Sequence, residues 1–160
     1  MLLSRLARIL SETCTLAPSA EAGSGADPEL LRAVFDSRQV RPGDLYCALR
    51  GSQVDGRAYI AHAIANGAAA VLSIGGLPAP LAVPELRVQL GVEPAFVAGL
   101  AASELAGRPS DELFVAALTG TNGKSTVVHL LQQAWQMASV PAARIGTLGF
   151  AWAGTERPAL

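Results

Sequence analysis

Residues 113–138 read Leu113-Phe114-Val115-Ala116-Ala117-Leu118, then Thr119-Gly120-Thr121-Asn122-Gly123-Lys124-Ser125-Thr126, then Val127-Val128-His129-Leu130-Leu131-Gln132-Gln133-Ala134-Trp135-Gln136-Met137-Ala138. The first block is a short apolar run of strand formers. The third carries apolar residues at Val127, Leu130, Leu131, Ala134 and Trp135, the spacing of one helical face. The order strand, glycine turn, Gly-Lys-Ser, helix is that of a phosphate-binding loop. Gly120 and Gly123 lack Cβ, so the backbone can bring successive N–H groups against phosphate oxygens. A helix starting near Lys124 adds unpaired first-turn N–H groups and the positive end of its dipole. Lys124 supplies a full positive charge for β- and γ-phosphates, and the Ser125 hydroxyl suits Mg²⁺. A glycine turn beside a lone lysine is the plain alternative, and it does not account for the ordered flanking elements. The loop is a variant: the first glycine of G-x-x-x-x-G-K-[ST] would fall at Leu118, whereas Gly120 stands three residues before Gly123.

A chain of 160 residues holds one ordinary domain, or one domain and a piece of a second. With 51% apolar and 16% charged residues it can bury a core, and disorder over most of its length is excluded. A net charge of −1, without a basic stripe, argues against nucleic acid as a partner. Cys14 and Cys47 stand alone, so neither a zinc site nor a disulfide framework is indicated. Leu2, Leu3, Leu6, Ile9 and Leu10 could suggest a signal peptide, but Arg5 and Arg8 interrupt any apolar stretch, and an amphipathic first helix fits better. No apolar run approaches the roughly 18 residues of a membrane span. The expectation is a cytoplasmic monomer that meets no membrane.

Outward from the phosphate loop, residues 19–28 read as a loop, 30–35 as a strand, and Arg41-Pro42-Gly43-Asp44 as a type II turn. A strand over 44–49, a polar loop over 51–56, a helix over 58–66 ended by Gly67, and a strand over 68–74 follow. That βαβ period implies a parallel, right-handed crossover. Residues 75–84 form a loop and 86–90 a strand. Residues 94–105 form a helix with Phe96, Leu100 and Leu105 apolar and Gly107 just beyond its end. Arg108-Pro109-Ser110-Asp111 breaks the pattern, which divides the chain into 1–109 and 110–160. After the loop helix, 142–150 reads as a further strand and the last ten residues as a loop or the start of a hairpin.

Two separated blocks carry a family resemblance. Thr119 to Thr126 resembles the ATP loop of the Mur ligases and their folylpolyglutamate synthetase relatives, with Ser125 where they usually have Thr. Asp36-Ser37-Arg38, Val40-Arg41-Pro42-Gly43-Asp44-Leu45-Tyr46, Gly51 with Asp55-Gly56, and Gly67-Ala68 resemble the N-terminal domain of the UDP-N-acetylmuramoyl-tripeptide synthetase (MurE) type. Ile145-Gly146-Thr147-Leu148-Gly149 looks like the Gly-Thr-x-Gly segment that the MurF type lacks. The implied fold class is α/β: an N-terminal Mur-ligase-type domain followed by the beginning of a P-loop, Rossmann-like, ATP-binding domain.

The resemblance implies an ATP- and Mg²⁺-dependent ligase that joins an amino acid, diaminopimelate or lysine, to UDP-N-acetylmuramoyl-L-alanyl-D-glutamate in peptidoglycan synthesis. It places the UDP end on Phe35, Ser37, Ser52, Gln53 and Val54. ATP falls on Gly120, Thr121, Asn122, Gly123, Lys124, Ser125 and Thr126, with Lys124 catalytic and Ser125 on the metal. Phe35 replaces a more usual aliphatic residue. Asp36 and Arg38 read equally as a local ion pair or as ligand contacts, Tyr59 and His62 as packing and surface residues, and His129 as solvated or packed. The family continues into a Thr-Thr-Pro loop, a carbamylated lysine and an amino-acid-selecting C-terminal domain. The chain therefore reads as an N-terminal portion, inactive alone, with 111–160 less stable than 30–105. A UDP-sugar-binding module with a vestigial loop, a MurF-type ligase and a folylpolyglutamate synthetase relative stand as alternatives.

Overall fold

The computed structural model describes residues 1–13, 26–50, 54–75, 77, 80–89, 91–152 and 154–158, and the chain divides into two compact units, Met1–Leu113 and Phe114–Leu160.

The first unit is built on a four-stranded parallel sheet in the order β1 (Ala33–Val34), β2 (Leu45–Ala48), β3 (Ala70–Ile74), β4 (Glu85–Val88). Both faces are covered, as a parallel sheet requires. On one face Leu45, Cys47, Ala70, Leu72, Leu86 and Val88 meet α1 (Leu3–Thr13) and α3 (Pro94–Leu105). On the other, Val34, Tyr46, Ala48 and Val71 meet α2 (Ile60–Ala65) through Ile60 and Ala63. Alternation along β2 therefore feeds two cores at once, and all four of its residues are buried.

Helix α1 inserts Leu3, Leu6 and Leu10, one face of its amphipathic pattern. Helix α3 has the expected bounds, with Pro94 in its first turn and Gly107 beyond its end at φ +82°. Leu100 and Leu105 pack against the core as read, Val97, Ala98 and Ala101 are buried, and only the third residue of that reading, Phe96, is exposed. Small residues allow the helix to sit close to the sheet, and the large ring points away.

The type II turn forms as read. The Asp44 N–H donates to the Arg41 carbonyl at 3.1 Å, and Gly43 takes φ +89°. The strand expected over 30–35 shortens to two residues, because the Leu30 N–H donates to the Met1 carbonyl and the Leu31 N–H to the Gly43 carbonyl. Those backbone groups are no longer free for the ladder. The helix expected over 58–66 begins as a 3₁₀ turn, Gly56–Tyr59, before α2.

In the second unit, α4 (Lys124–Met137) packs beside an antiparallel sheet of β5 (Arg144–Gly146), β6 (Gly149–Trp152) and β7 (Thr155–Arg157). Two readings are corrected here. The stretch over 142–150 is not one strand but a hairpin turning at Thr147-Leu148, with Gly149 at φ +98°. The run 113–118, read as a strand, forms none among the described residues, so its strand propensity is not realised. Phe114 instead meets Trp135 of α4 edge to face, with ring centroids 6.1 Å apart. The Gln132 side chain is buried and its Nε2 donates to the Ala142 and Ala151 carbonyls at 3.2 and 3.1 Å, holding the hairpin to the helix. No helix among the described residues is long and apolar enough to cross a membrane.

Candidate functional site

Beyond the carboxyl ends of β1 and β2 lies an open cleft of about 870 Å³. Its walls come from three elements. The segment after β1 supplies Phe35, Asp36 and Ser37, β2 supplies Tyr46, and the 3₁₀ turn with α2 supplies Gly56, Tyr59 and His62. In open α/β sheets this is where ligands bind.

Each wall is fixed by local chemistry. Asp36 caps a 3₁₀ turn, Ser37–Gln39, accepting from the Arg38 N–H at 3.0 Å, and its carboxylate takes the Arg38 guanidinium at 2.8 Å. That guanidinium holds the Asp36 pKa at about 2. Across the cleft Asp55 does the same for its own turn: it accepts from the Arg57 N–H at 3.0 Å and pairs with that guanidinium, which again lowers its pKa to about 2. The local ion pair is thus the arrangement present at Asp36 and Arg38. The Gly56 N–H donates to the Leu49 carbonyl at 2.8 Å and closes the intervening loop. The Cys47 thiol, also at the cleft, is pushed up to about 12 by burial and stays neutral; Cys14 lies outside the described residues.

Of the residues read as holding the UDP end, Phe35, Ser37 and Val54 line this cleft, and Ser52 and Gln53 lie outside the described residues. Phe35 and Val54 are about half exposed at the rim, whereas Ser37 is buried at 5%. Tyr59 and His62, read as packing and surface residues, are exposed and also line the cleft. The Ser37 Oγ lies 3.0 Å from His62 Nδ1, and Asn66 Nδ2 donates to the Ser37 carbonyl at 2.8 Å. Tyr59, His62 and Asn66 fall at i, i+3 and i+7, a single helical stripe that would have marked them together.

In the second unit the phosphate loop turns through Gly120 at φ +137° and Gly123 at φ +80°, both in the region that favours glycine. Gly123 caps α4 without a side-chain acceptor, so first-turn N–H groups remain available to an anion. Lys124 Nζ donates to the Gly120 and Thr121 carbonyls. An ammonium has three donors, which leaves one for a phosphate oxygen. The Ser125 and Thr147 hydroxyls lie 3.5 Å apart, so the hairpin turn adds a second hard oxygen beside the loop. No cluster of three His, Cys, Asp or Glu suited to a metal occurs among the described residues. A Mg²⁺ ion here would rely on hydroxyl, phosphate and water oxygens, which is its ordinary habit. His129 is exposed and faces Gln133.

Residues 34–84, which contain all of the cleft's lining, match the model of the Mur ligase family, catalytic domain. Over 130 residues, 77% of the chain, the sequence is 41% identical to the UDP-N-acetylmuramoyl-L-alanyl-D-glutamate--2,6-diaminopimelate ligase of Xanthomonas oryzae pv. oryzae. The chain belongs to the Mur ligase family. The ligase of the same name from Chromobacterium violaceum is 43% identical over 140 residues. A solved structure of a UDP-N-acetylmuramoyl-L-alanyl-D-glutamate--2,6-diaminopimelate ligase superposes with a TM-score of 0.60 at 28% identity, over 81% of this chain and 26% of that one. This Mur ligase chain spans about a quarter of the length of its curated relatives, 25% and 27% for the two named.

Proposed function

We propose that the chain is the substrate- and nucleotide-gathering portion of an ATP-dependent ligase that adds diaminopimelate to UDP-N-acetylmuramoyl-L-alanyl-D-glutamate in the cytoplasm. The first unit, close to the 1–109 division read from the sequence, holds the UDP end. The second, close to 110–160, begins the ATP-binding domain. The observation that carries this reading is the cleft at the ends of β1 and β2, whose wall and rim hold Ser37, Phe35 and Val54 and whose sequence block is the one matched by the family model. The names of the relatives support the choice of diaminopimelate.

The reaction forms an amide. The substrate carboxylate attacks the γ-phosphate and expels ADP, an acyl phosphate results, and the incoming amine displaces inorganic phosphate and loses a proton as the amide forms. Protein groups in such transfers position reactants and offset charge. Lys124 neutralises the β/γ charge, the amides from Gly120 to Thr126 cradle phosphate oxygens, and Ser125 would hold Mg²⁺, which would supply further charge neutralisation. In the first unit, Ser37, Ser52, Gln53 and Val54 hold the uridine diphosphate end and Phe35 covers a ring, so that the peptide end is presented from a fixed anchor.

Calorimetric titration of the chain with UDP-N-acetylmuramic acid, without ATP, tests the assignment. Saturable binding that weakens at least tenfold in Ser37→Ala with Gln53→Ala is expected. Undiminished affinity in that double variant would place the sugar nucleotide elsewhere.

A further inference from the structure

We infer that His62 is a positioning residue that turns the Ser37 hydroxyl into a hydrogen-bond donor aimed into the cleft. Three contacts point to this, taken in turn. The Ser37 backbone carbonyl can only accept, and Asn66 presents its amide nitrogen to that carbonyl at 2.8 Å, which sets the orientation of the Asn66 amide. The same nitrogen lies 3.5 Å from His62 Nε2. A donor on that side pairs with an Nε2 that accepts, which is the tautomer carrying its proton on Nδ1. Nδ1 is the atom 3.0 Å from Ser37 Oγ, and its N–H therefore donates to the hydroxyl oxygen.

The consequence concerns both ligand choice and chemistry. With one lone pair filled by His62, the Ser37 O–H has no partner within this trio and is directed to a ligand acceptor, a carbonyl or phosphate oxygen of the uridine nucleotide. Were the tautomer reversed, Ser37 would donate to His62 and offer the cleft only a lone pair. The protonated Nδ1 also cannot take a proton from Ser37, so the pair is not an activated nucleophile despite its short contact. The trio spans two elements, with Ser37 after β1 and His62 and Asn66 on or next to α2, so the donor is pre-oriented by the fold and needs no ordering when ligand arrives.

This inference rests on the uridine-binding reading of the cleft, and its test separates the two. Long-range ¹H–¹⁵N spectra of the 160-residue chain report the His62 tautomer without any ligand; a protonated Nδ1 is expected, and a protonated Nε2 overturns the inference whether or not UDP binds. Calorimetry with UDP supplies the second arm. His62→Leu weakens binding about tenfold. His62→Asn, whose amide N–H falls near the lost Nδ1–H, recovers it to within about threefold, and His62→Gln, which places its amide near Nε2, does not. In a Ser37→Ala background the His62→Leu effect disappears, as for a residue acting through another. Equal losses in the Leu and Asn variants, or an undiminished His62→Leu effect without the Ser37 hydroxyl, contradict it. Absence of UDP binding by the unaltered chain at millimolar concentration counts against the uridine reading instead.

Discussion

Tyr46 and Gly56 are joined by a hydrogen bond from the phenol hydroxyl to the backbone carbonyl, 2.9 Å long across ten positions. It ties the centre of β2 to the start of the 3₁₀ turn, and the Gly56 N–H returns to the Leu49 carbonyl at 2.8 Å. Leu49 and Gly56 are thus held together, and Gly56 is fixed through both its N–H and its carbonyl. A Cβ on Gly56 would lie 2.6 Å from the Leu49 carbonyl oxygen, a backbone atom that cannot move aside alone.

Gly56→Ala is therefore expected to lower stability by about 1–3 kcal/mol, the usual cost of overpacking. Tyr46→Phe, which loses only the hydrogen bond, costs about 0.5–1.5 kcal/mol. Urea unfolding checks both, and a Gly56→Ala midpoint equal to that of the unaltered chain would show that the loop root is not rigid.

Asp44 is buried yet accepts from Arg32 at 2.9 and 2.6 Å and from the Arg41 N–H at 2.8 Å. Burial alone would raise its pKa; the Arg32 guanidinium and the Arg41 N–H outweigh it and hold the carboxyl below its ordinary 3.8. A depressed folded pKa gives stability that is complete above the unfolded value and lost as pH falls through the folded one. Asp36 and Asp55, both at about 2, act in the same direction. Urea midpoints should accordingly hold steady above about pH 4 and decline between about pH 4 and 2. Asp44→Asn should flatten part of that decline, and Arg32→Ala, which leaves the buried carboxylate without its guanidinium, should lower the urea midpoint at neutral pH. An unchanged acid slope in Asp44→Asn would refute the linkage.

How much of this was legible in the sequence varied with how local the cause was. Pro94 and Gly107 marked α3, and Pro42-Gly43 marked the type II turn, because capping and turn chemistry act within a few residues. The run 113–118 has the composition of a strand, but a strand exists only beside a partner, and composition does not supply one. Gly146-Thr147-Leu148-Gly149 read as a continuing strand, although the glycine at position 149 allowed the positive φ of a hairpin turn. His62 is the surface residue it was read as, but its contact with Ser37 was not legible, because Ser37 comes from another element 25 positions away.

Residues 114–119 should exchange their amide hydrogens faster than β2 and β3, since no ladder protects them among the described residues. Gln132→Leu should speed exchange in 144–152, because two carbonyls lose their donor. Exchange in the hairpin as slow as in the unaltered chain would show that Gln132 does not hold it.

Lys124→Ala should abolish detectable binding of ATP with Mg²⁺ in calorimetry while leaving the unfolding of the first unit unchanged. Lys124 sits at the loop and helix junction, with contacts only to the Gly120 and Thr121 carbonyls, and supports no core. Intact ATP affinity in this variant would refute the phosphate-loop assignment and favour a module that binds only the uridine nucleotide.

The most direct test of the central claim is a ¹H–¹⁵N titration of the chain with UDP, followed residue by residue. The cleft assignment predicts saturable shifts at Ser37, Arg38, Gly56, Tyr59 and His62 with little change from 120 to 126, and the reverse pattern on adding ATP with Mg²⁺. UDP shifts confined to the phosphate loop, or none anywhere at millimolar nucleotide, would contradict it.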